Sequence, residues 1–465
     1  MLITNANLVT WENPNRVLAD HAIYIEDGKI VEIGPSAALQ QQHEGTEKID
    51  ARGQYVMPGN ICAHTHFYGA YSRGMGIPGP APKDFPEILG RLWWPLDKAL
   101  EPEDVYYSSM VCLIDAVKHG TTTLIDHHAS PYAIEGSLDV VARAVEQAGI
   151  RASLCYEVTD RDGLEKARSG IEENVRFIRR VREEKPMQGR IGAMFGLHAS
   201  LTLSDETLKA CREAADRLGG EVGFHVHIAE HSVDEYDSMA KSGTRVVDRL
   251  QRFGILGPKS MAGHCVHVDA REVEILAETG TWVSHQPRSN MNNAVGLPQV
   301  ESMLRAGVRV CLGNDGFSNA MWEEWKAAYL GHKLFNLDPR RMGADVIVQM
   351  AIYNNAALVE TLFDGTKVGV IAPGAAADLM FVDYHPYTPV NAGNLPWHIV
   401  FGFESSMVTT TIAAGKVLMR DRQLLCIDET KVAAEARERA PKVWERYTAQ
   451  AQKALEQASR RLVEE

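Results

Sequence analysis

The chain has 465 residues, a formal net charge of -13 and 45% hydrophobic residues, a length that allows one large domain with a smaller one beside it. The acidic balance argues against broad electrostatic binding to nucleic acid, and the lack of an apolar run of about 18 residues argues against a membrane-spanning helix. The opening Met1-Leu2-Ile3-Thr4-Asn5-Ala6-Asn7 carries no basic patch before an apolar core, so no signal peptide is read there. Cys62, Cys112, Cys155, Cys211, Cys265, Cys311 and Cys426 lack paired spacing and read as reduced residues of a cytoplasmic protein.

From the N-terminus, Ala22–Glu26 and Lys29–Ile33 flank Asp27-Gly28, whose tolerance of positive φ predicts a hairpin. The middle section alternates. Strands are predicted at Val56–Ala63, Thr121–Asp126, Arg151–Glu157, Arg190–Leu197, Gly223–Ile228, Ser260–Cys265, Thr281–Ser284 and Val308–Gly313. Helical spacing falls at Val105–Lys118, Leu138–Gln147, Leu164–Arg182, Asp205–Leu218, Thr244–Phe253 and Arg271–Glu278. Eight strands alternating with helices predict an α/β fold of the (β/α)8 TIM-barrel type. A doubly wound sheet is disfavoured, because no glycine-rich phosphate loop opens the first helix. Strand-like Ala377–Asp383 and Val408–Ala413 follow, and with the N-terminal hairpin they predict a small β-sandwich built from both termini. The expected division is 1–57 and 368–427 for the sandwich, 58–367 for the barrel and 428–465 for a charged helical tail, broken or kinked at Pro441. That tail is expected to cap the fold, contact another subunit or lie in solvent.

A barrel of this kind carries its chemistry at the C-terminal ends of its strands. The first strand ends in His64-Thr65-His66, and residues two apart on a strand face the same side. The fifth ends in His225-Val226-His227-Ile228-Ala229-Glu230, the sixth in His264 and the eighth in Asp315. A lone histidine or aspartate at such a place is commonly structural, but four strand ends presenting these groups together point to a metal ion, since buried imidazoles and carboxylates are costly without partners. Weaker candidates surround them. Trp93 and Trp94 could wall a flat heterocycle, and Phe67 and Tyr68 could floor the pocket. Of His127 and His128 at most one can face the mouth, and His128 is the candidate. Arg161 could meet an anionic or carbonyl-bearing substrate, although surface ion pairing is the commoner role. Arg288, Ser289 and Asn290 follow the seventh strand and could place substrate. His225 reads as packing or support for the strand-end groups.

Several stretches carry a family likeness over nearly the whole chain: Val56-Met57-Pro58-Gly59 leading into His64-x-His66, His227-x-x-Glu230, His264, Asp315-Gly316, Asn354-Asn355-Ala356-Ala357, and Gly374-Ala375-Ala376-Ala377-Asp378-Leu379. They resemble the amidohydrolase superfamily, in its cytosine/guanine-deaminase and chlorohydrolase-like branch. Leu92-Trp93-Trp94-Pro95-Leu96-Asp97, Ile125-Asp126-His127-His128-Ala129-Ser130-Pro131 and Arg288-Ser289-Asn290-Met291-Asn292-Asn293 are similar to the SsnA-type aminohydrolases within it. The resemblance implies a metal-bearing barrel with a small β-sandwich. It makes His64, His66, His227 and Asp315 the metal ligands, Glu230 the proton-shuttling carboxylate, His264 the histidine on the attacking water and His198 a substrate contact. Binuclear members use a carboxylated lysine after the fourth strand; Arg190–His198 holds none, so one divalent metal is expected, zinc first, with iron or manganese as alternatives.

Such a metal lowers the pKa of water from about 15.7 towards about 7. Asp315 could accept the water proton, Glu230 could pass it to a ring nitrogen and the leaving amine, and His264 could orient the attack. The expected activity is hydrolysis of a C–N bond in a purine, pterin or pyrimidine. The alternatives are dechlorination or cyclic-amide opening at the same site, or a silent scaffold. Intact Glu230, His264 and four ligands count against the last. The expected partner is a small molecule, with self-association into a dimer or larger homo-oligomer.

Overall fold

The Asp27-Gly28 hairpin forms between antiparallel strands Val17–Glu26 and Lys29–Pro35, with Asp27 at φ 48° and Gly28 at φ 75°. Glycine is needed there twice over, since a Cβ would also stand 2.8 Å from the Ala414 carbonyl oxygen. The computed structural model describes residues 1–464. Strands from both ends of the chain join in one nine-stranded sheet, with Tyr55–Pro58 as the seam. It runs parallel to Leu2–Val9 and antiparallel to Leu379–Val382, placing Val56 opposite Phe381. Inward residues of these strands, among them Ile3, Leu8, Ile23, Val56, Phe381 and Ile412, close over one apolar cluster.

The run expected as a single strand at Val56–Ala63 is two. Tyr55–Pro58 belongs to the terminal sheet and Asn60–Thr65 begins the barrel. Gly59 is the joint: a Cβ on it would stand 2.3 Å from Thr122 Oγ1, so only glycine lets the chain pass from one sheet to the other. Strands Asn60–Thr65, Thr121–Asp126, Arg151–Leu154 and Ile191–Ala193 form one parallel arc of the barrel. Phe195–Ala199, Phe224–Ile228, Met261–His264, Trp282–His285 and Val310–Leu312 form the other. The fourth barrel strand is therefore divided at Met194, and bridges Val158–Leu197 and Thr65–Asp315 link the arcs at their two seams.

One asparagine and one aspartate of the closing motifs are structural ties. Asn355 Nδ2 donates to the carbonyls of Ile61 at 2.8 Å and Leu312 at 3.0 Å, and its Oδ1 accepts from the Leu312 amide, joining first and eighth strands. Asp378 receives the Ala414 amide at 2.6 Å and pairs with Arg151 at 3.3 Å, docking the terminal sheet on the barrel. The outer helices include Pro102–Lys118, Ser137–Ala148, Leu164–Glu184, Asp205–Arg217, Val246–Arg252 and Ala270–Thr279, close to expectation. Helix Met321–Asn336 and the helical stretch 344–362 follow the eighth strand without having been anticipated.

The tail is one helix, Glu429–Glu464, unbroken at Pro441, and it caps the fold. Trp444 Nε1 donates to the Tyr71 carbonyl at 2.9 Å, Arg446 Nε to Ala99 at 2.7 Å and the Tyr447 hydroxyl to Arg91 at 2.8 Å. It thereby clamps the segment after the first barrel strand, which carries Trp93 and Trp94. Among the described residues no helix is long and apolar enough to cross a membrane. Tyr447 is fully buried, so Tyr447→Ala is expected to destabilise the fold by about 3–5 kcal/mol, as other large-to-small aromatic truncations do. Denaturant unfolding measures this, and wild-type stability would show that the helix is not a clamp.

Candidate active site

His64 and His66 project from the end of the first barrel strand, His227 from the fifth, and Asp315 follows the eighth. Asp315 Oδ1 lies 3.2 Å from His64 Nε2 and 2.9 Å from His66 Nε2, and His66 Nε2 lies 3.3 Å from His227 Nε2. The other ring nitrogens decide what these contacts are. His66 Nδ1 faces the His127 carbonyl at 2.6 Å and His227 Nδ1 faces the His198 carbonyl at 2.8 Å. A carbonyl only accepts, so each Nδ1 carries the proton and each Nε2 presents a lone pair. Two lone pairs and a carboxylate oxygen converge in a buried space, and His64 Nε2 beside them has no hydrogen-bond partner. Such a set is repulsive unless a cation sits within it. Donors bound at about 2.0–2.1 Å around a tetrahedral ion lie about 3.3–3.4 Å apart, close to the spacing here. His64, His66, His227 and Asp315 could therefore hold a divalent metal.

The supports of this cluster are equally specific. His225 Nε2 lies 2.8 Å from His64 Nδ1, and the His225 ring stacks on His127 with centroids 4.3 Å apart. The Ser289 hydroxyl donates to Asp315 Oδ2 at 2.5 Å. His264 and Asp315 sit at φ 68° and φ 60°, unusual for residues with a side chain, which swings both groups into the mouth. Asn290 Oδ1 lies 2.8 Å from His264 Nδ1, leaving His264 Nε2 3.5 Å from Glu230 Oε2. Asn293 donates to Glu230 Oε1 at 3.3 Å. Burial pushes the Glu230 carboxyl up to about 7, against the pull of nearby His264.

The cluster forms the floor of a pocket of about 740 Å³, counted out to its open mouth. Tyr68, Phe85, Leu89, Trp93 and Trp94 give it apolar walls, and His198 lines it beside the metal-type donors. Of the residues expected to touch substrate, Trp94 and His198 are there. The others are engaged elsewhere. Phe67 lies beneath, its amide donating to Asp126 Oδ1 at 2.7 Å, so Tyr68 rather than Phe67 faces the pocket. His128 turns to Ser130, 2.9 Å away. Ser289 and Asn290 act on Asp315 and His264 as described. Arg161 is buried against Asp97 with its guanidinium 5.4 Å over the Trp94 ring, because a buried cation needs a carboxylate.

Glu157 was not singled out from the sequence, although it ends the predicted third strand, the kind of position that exposed the other groups. It lines the pocket, with Oε1 3.3 Å from His66 Nδ1 and Oε2 3.8 Å from His198 Nε2. Burial opposes its ionisation, but His66, His198 and Arg161 hold its carboxyl below the usual carboxylate range.

Residues 55–418 match the amidohydrolase family, and the chain belongs to that family. It is 34% identical to a 5′-deoxyadenosine deaminase of Methanosarcina mazei over 95% of this chain and 97% of that one. It is 35% identical to a 5-methylthioadenosine/S-adenosylhomocysteine deaminase of Pelotomaculum thermopropionicum, covering 95% and 98%. Among solved structures it superposes on a zinc-bound adenosine deaminase from Xanthomonas campestris with TM-score 0.83 at 25% identity, covering 95% and 98% of the two chains. An atrazine chlorohydrolase from Arthrobacter aurescens shares the fold with TM-score 0.77 at 20% identity, covering 95% and 100%.

His225→Phe keeps a ring in place and removes the contact to His64 Nδ1. Retention of a divalent metal is expected to weaken by about 10–100-fold, the usual cost of losing a group that orients a ligand. Chelator competition reads this, and unchanged retention would show that His225 merely packs.

Proposed function

We propose that the protein is a hydrolytic deaminase of adenosine-type nucleosides, exchanging the amino group of the base for a water oxygen and releasing ammonia. The observation that carries this reading is the placement of Glu230. It is a carboxylate raised towards neutrality, outside the four-donor cluster and next to His264, at the floor of a pocket with aromatic walls. The deaminases of adenosine-type compounds that this chain resembles over 95% of its length support the choice of base.

His64, His66, His227 and Asp315 would hold one divalent metal, zinc by its nitrogen and oxygen donors, with iron or manganese fitting the same set. When bound, that ion supplies Lewis acidity and lowers the pKa of water towards about 7. Glu230 takes one proton from the attacking water and delivers it to the ring nitrogen beside the reacting carbon, then takes the remaining proton of the added hydroxyl and delivers it to the amine, which departs as ammonia while the C–O bond becomes a carbonyl. A carboxyl near 7 can accept and return a proton at neutral pH with little cost in either direction. His264, held by Asn290, orients the attack with Nε2 and steadies developing charge on oxygen. Trp94 and its aromatic neighbours hold the flat base against the donors, and His198 contacts it from the side.

Ammonia release with 5′-deoxyadenosine, 5′-methylthioadenosine and adenosine tests the activity. Turnover of at least one is expected, and turnover confined to other heterocycles would overturn the choice of base. Elemental analysis after dialysis should find about one divalent metal per chain; two at full occupancy would contradict a single centre. His66→Ala and Asp315→Ala should each lose metal and turnover while the circular dichroism of the fold persists. Full metal content in either variant would remove that residue from the ligand set.

A further inference from the structure

Large apolar side chains gather on one outer face of the barrel. Helix Met321–Asn336 turns Leu330 and Leu334 to solvent, and Leu337 follows at its C-cap. Their spacing of four and three residues makes them one stripe. Trp397 and Phe401 of helix Leu395–Gly402 stack with centroids 6.3 Å apart. They flank the stripe through Tyr329, whose ring lies 5.9 Å from the first and 5.5 Å from the second. Phe335 borders the other side, beside Gly296. The three leucines, Trp397, Phe401 and Phe335 are between 41% and 88% exposed. At about 200 Å² for a large side chain, they present on the order of 700 Å² of apolar surface. The largest apolar patch of a typical monomer is about 300–600 Å², and each partner of a standard interface buries about 800 Å².

Leu337 sharpens the point. It caps the helix at φ 50°, a left-handed conformation usually given to glycine, and within one chain it gains almost no burial. The charges at the rim are already matched. Glu323 pairs with Arg288, Lys326 with Glu404 and Asp338 with Arg340, and Lys333 sits 4.0 Å over the Tyr329 ring.

We infer that a second copy of this chain docks on this face, forming a two-fold dimer. A two-fold contact needs a surface that matches itself. A leucine stripe rimmed by paired charges does so. Two copies bury leucine on leucine and bring no unmatched like charges together, in spite of the net charge of -13 on each. A lipid surface fits less well, since the rim has no surplus of cations to meet anionic headgroups. The contact also bears on the active site. The inner side of the same helix backs Pro287–Asn292, where a Cβ on Gly331 would stand 2.9 Å from Met291 Sδ. That short helix carries Ser289 and Asn290, the supports of Asp315 and His264. A dimer braces them from behind.

Sedimentation velocity of the full chain at micromolar concentration tests this. Wild type should run at twice the chain mass. Leu330→Asp and Leu334→Asp should each raise the dissociation constant by roughly 30-fold or more, the effect of spoiling a central contact. Leu164→Asp, at a comparably exposed leucine on the separate helix Leu164–Glu184, should leave the dimer intact. The melting temperature of wild type should rise with protein concentration, and that of the two stripe variants should not. Leu330 and Leu334 lie in solvent in the single chain, so the circular dichroism of the fold should persist; Leu337→Asp serves where either variant fails to fold. A monomeric wild type would give this face to a different partner and overturn the inference. A dimer that survives the stripe aspartates, or is weakened as much by Leu164→Asp, would place the two-fold contact elsewhere and overturn it too.

Discussion

The convergence of lone pairs at one point governs the rest of this molecule. His66 and His227 turn their unprotonated nitrogens towards each other at 3.3 Å, and Asp315 brings a carboxylate oxygen within 2.9 Å of the first. Left alone this arrangement is unfavourable, and its persistence needs both a cation and a scaffold that denies the rings any other orientation. The scaffold is visible in the backbone. The carbonyls of His127 and His198, on the second and fourth strands, fix the tautomers of rings belonging to the first and fifth. The first, fifth and eighth strand ends thus supply side chains to the centre, and the second and fourth supply carbonyls to a neighbour's ring. This is how a barrel converts parallel strands into a preorganised site.

The remaining architecture holds that rim in place. Asn355 stitches the first strand to the eighth directly beneath His64 and Asp315. The terminal sheet docks through Asp378, and the C-terminal helix clamps the segment that carries the aromatic walls. Asp97 and Arg161 form a buried pair behind Trp94, joining that segment to the loop after the third strand. Pocket shape and pocket charge are therefore set by the same contacts that stabilise the fold.

Much of this was legible in the sequence because alternation along a strand is a strong constraint. His64-x-His66 could only face one side, and strand ends could only meet at the barrel mouth, so the histidine- and aspartate-bearing strand ends stood out in the sequence, while the choice of His227 as a donor and of Glu230 as the proton carrier came from the family resemblance. What escaped reading depended on contacts between distant segments. The break at Gly59 comes from Thr122, more than sixty residues away, and the apolar run across it looks continuous. Pro441 suggested a break, yet packing through Trp444 and Tyr447 carries the helix past it. Arg161 and His128 were weighed as substrate contacts from position alone, and partners at Asp97 and Ser130 took them away. Glu157 was overlooked because a lone glutamate after a strand has no pattern of its own; only its closeness to His66 and His198 reveals it.

The most direct test of the account is turnover and metal content of Glu230→Gln measured on the same sample. Glutamine keeps the size and much of the hydrogen bonding to Asn293 but cannot carry a proton. Turnover is expected to fall by about 10²–10⁴-fold, the usual contribution of a general acid–base group, with metal content at the wild-type level. Turnover within a few-fold of wild type, accompanied only by a lower melting temperature, would mean that Glu230 caps the following segment and does not move protons, and the mechanism would fail.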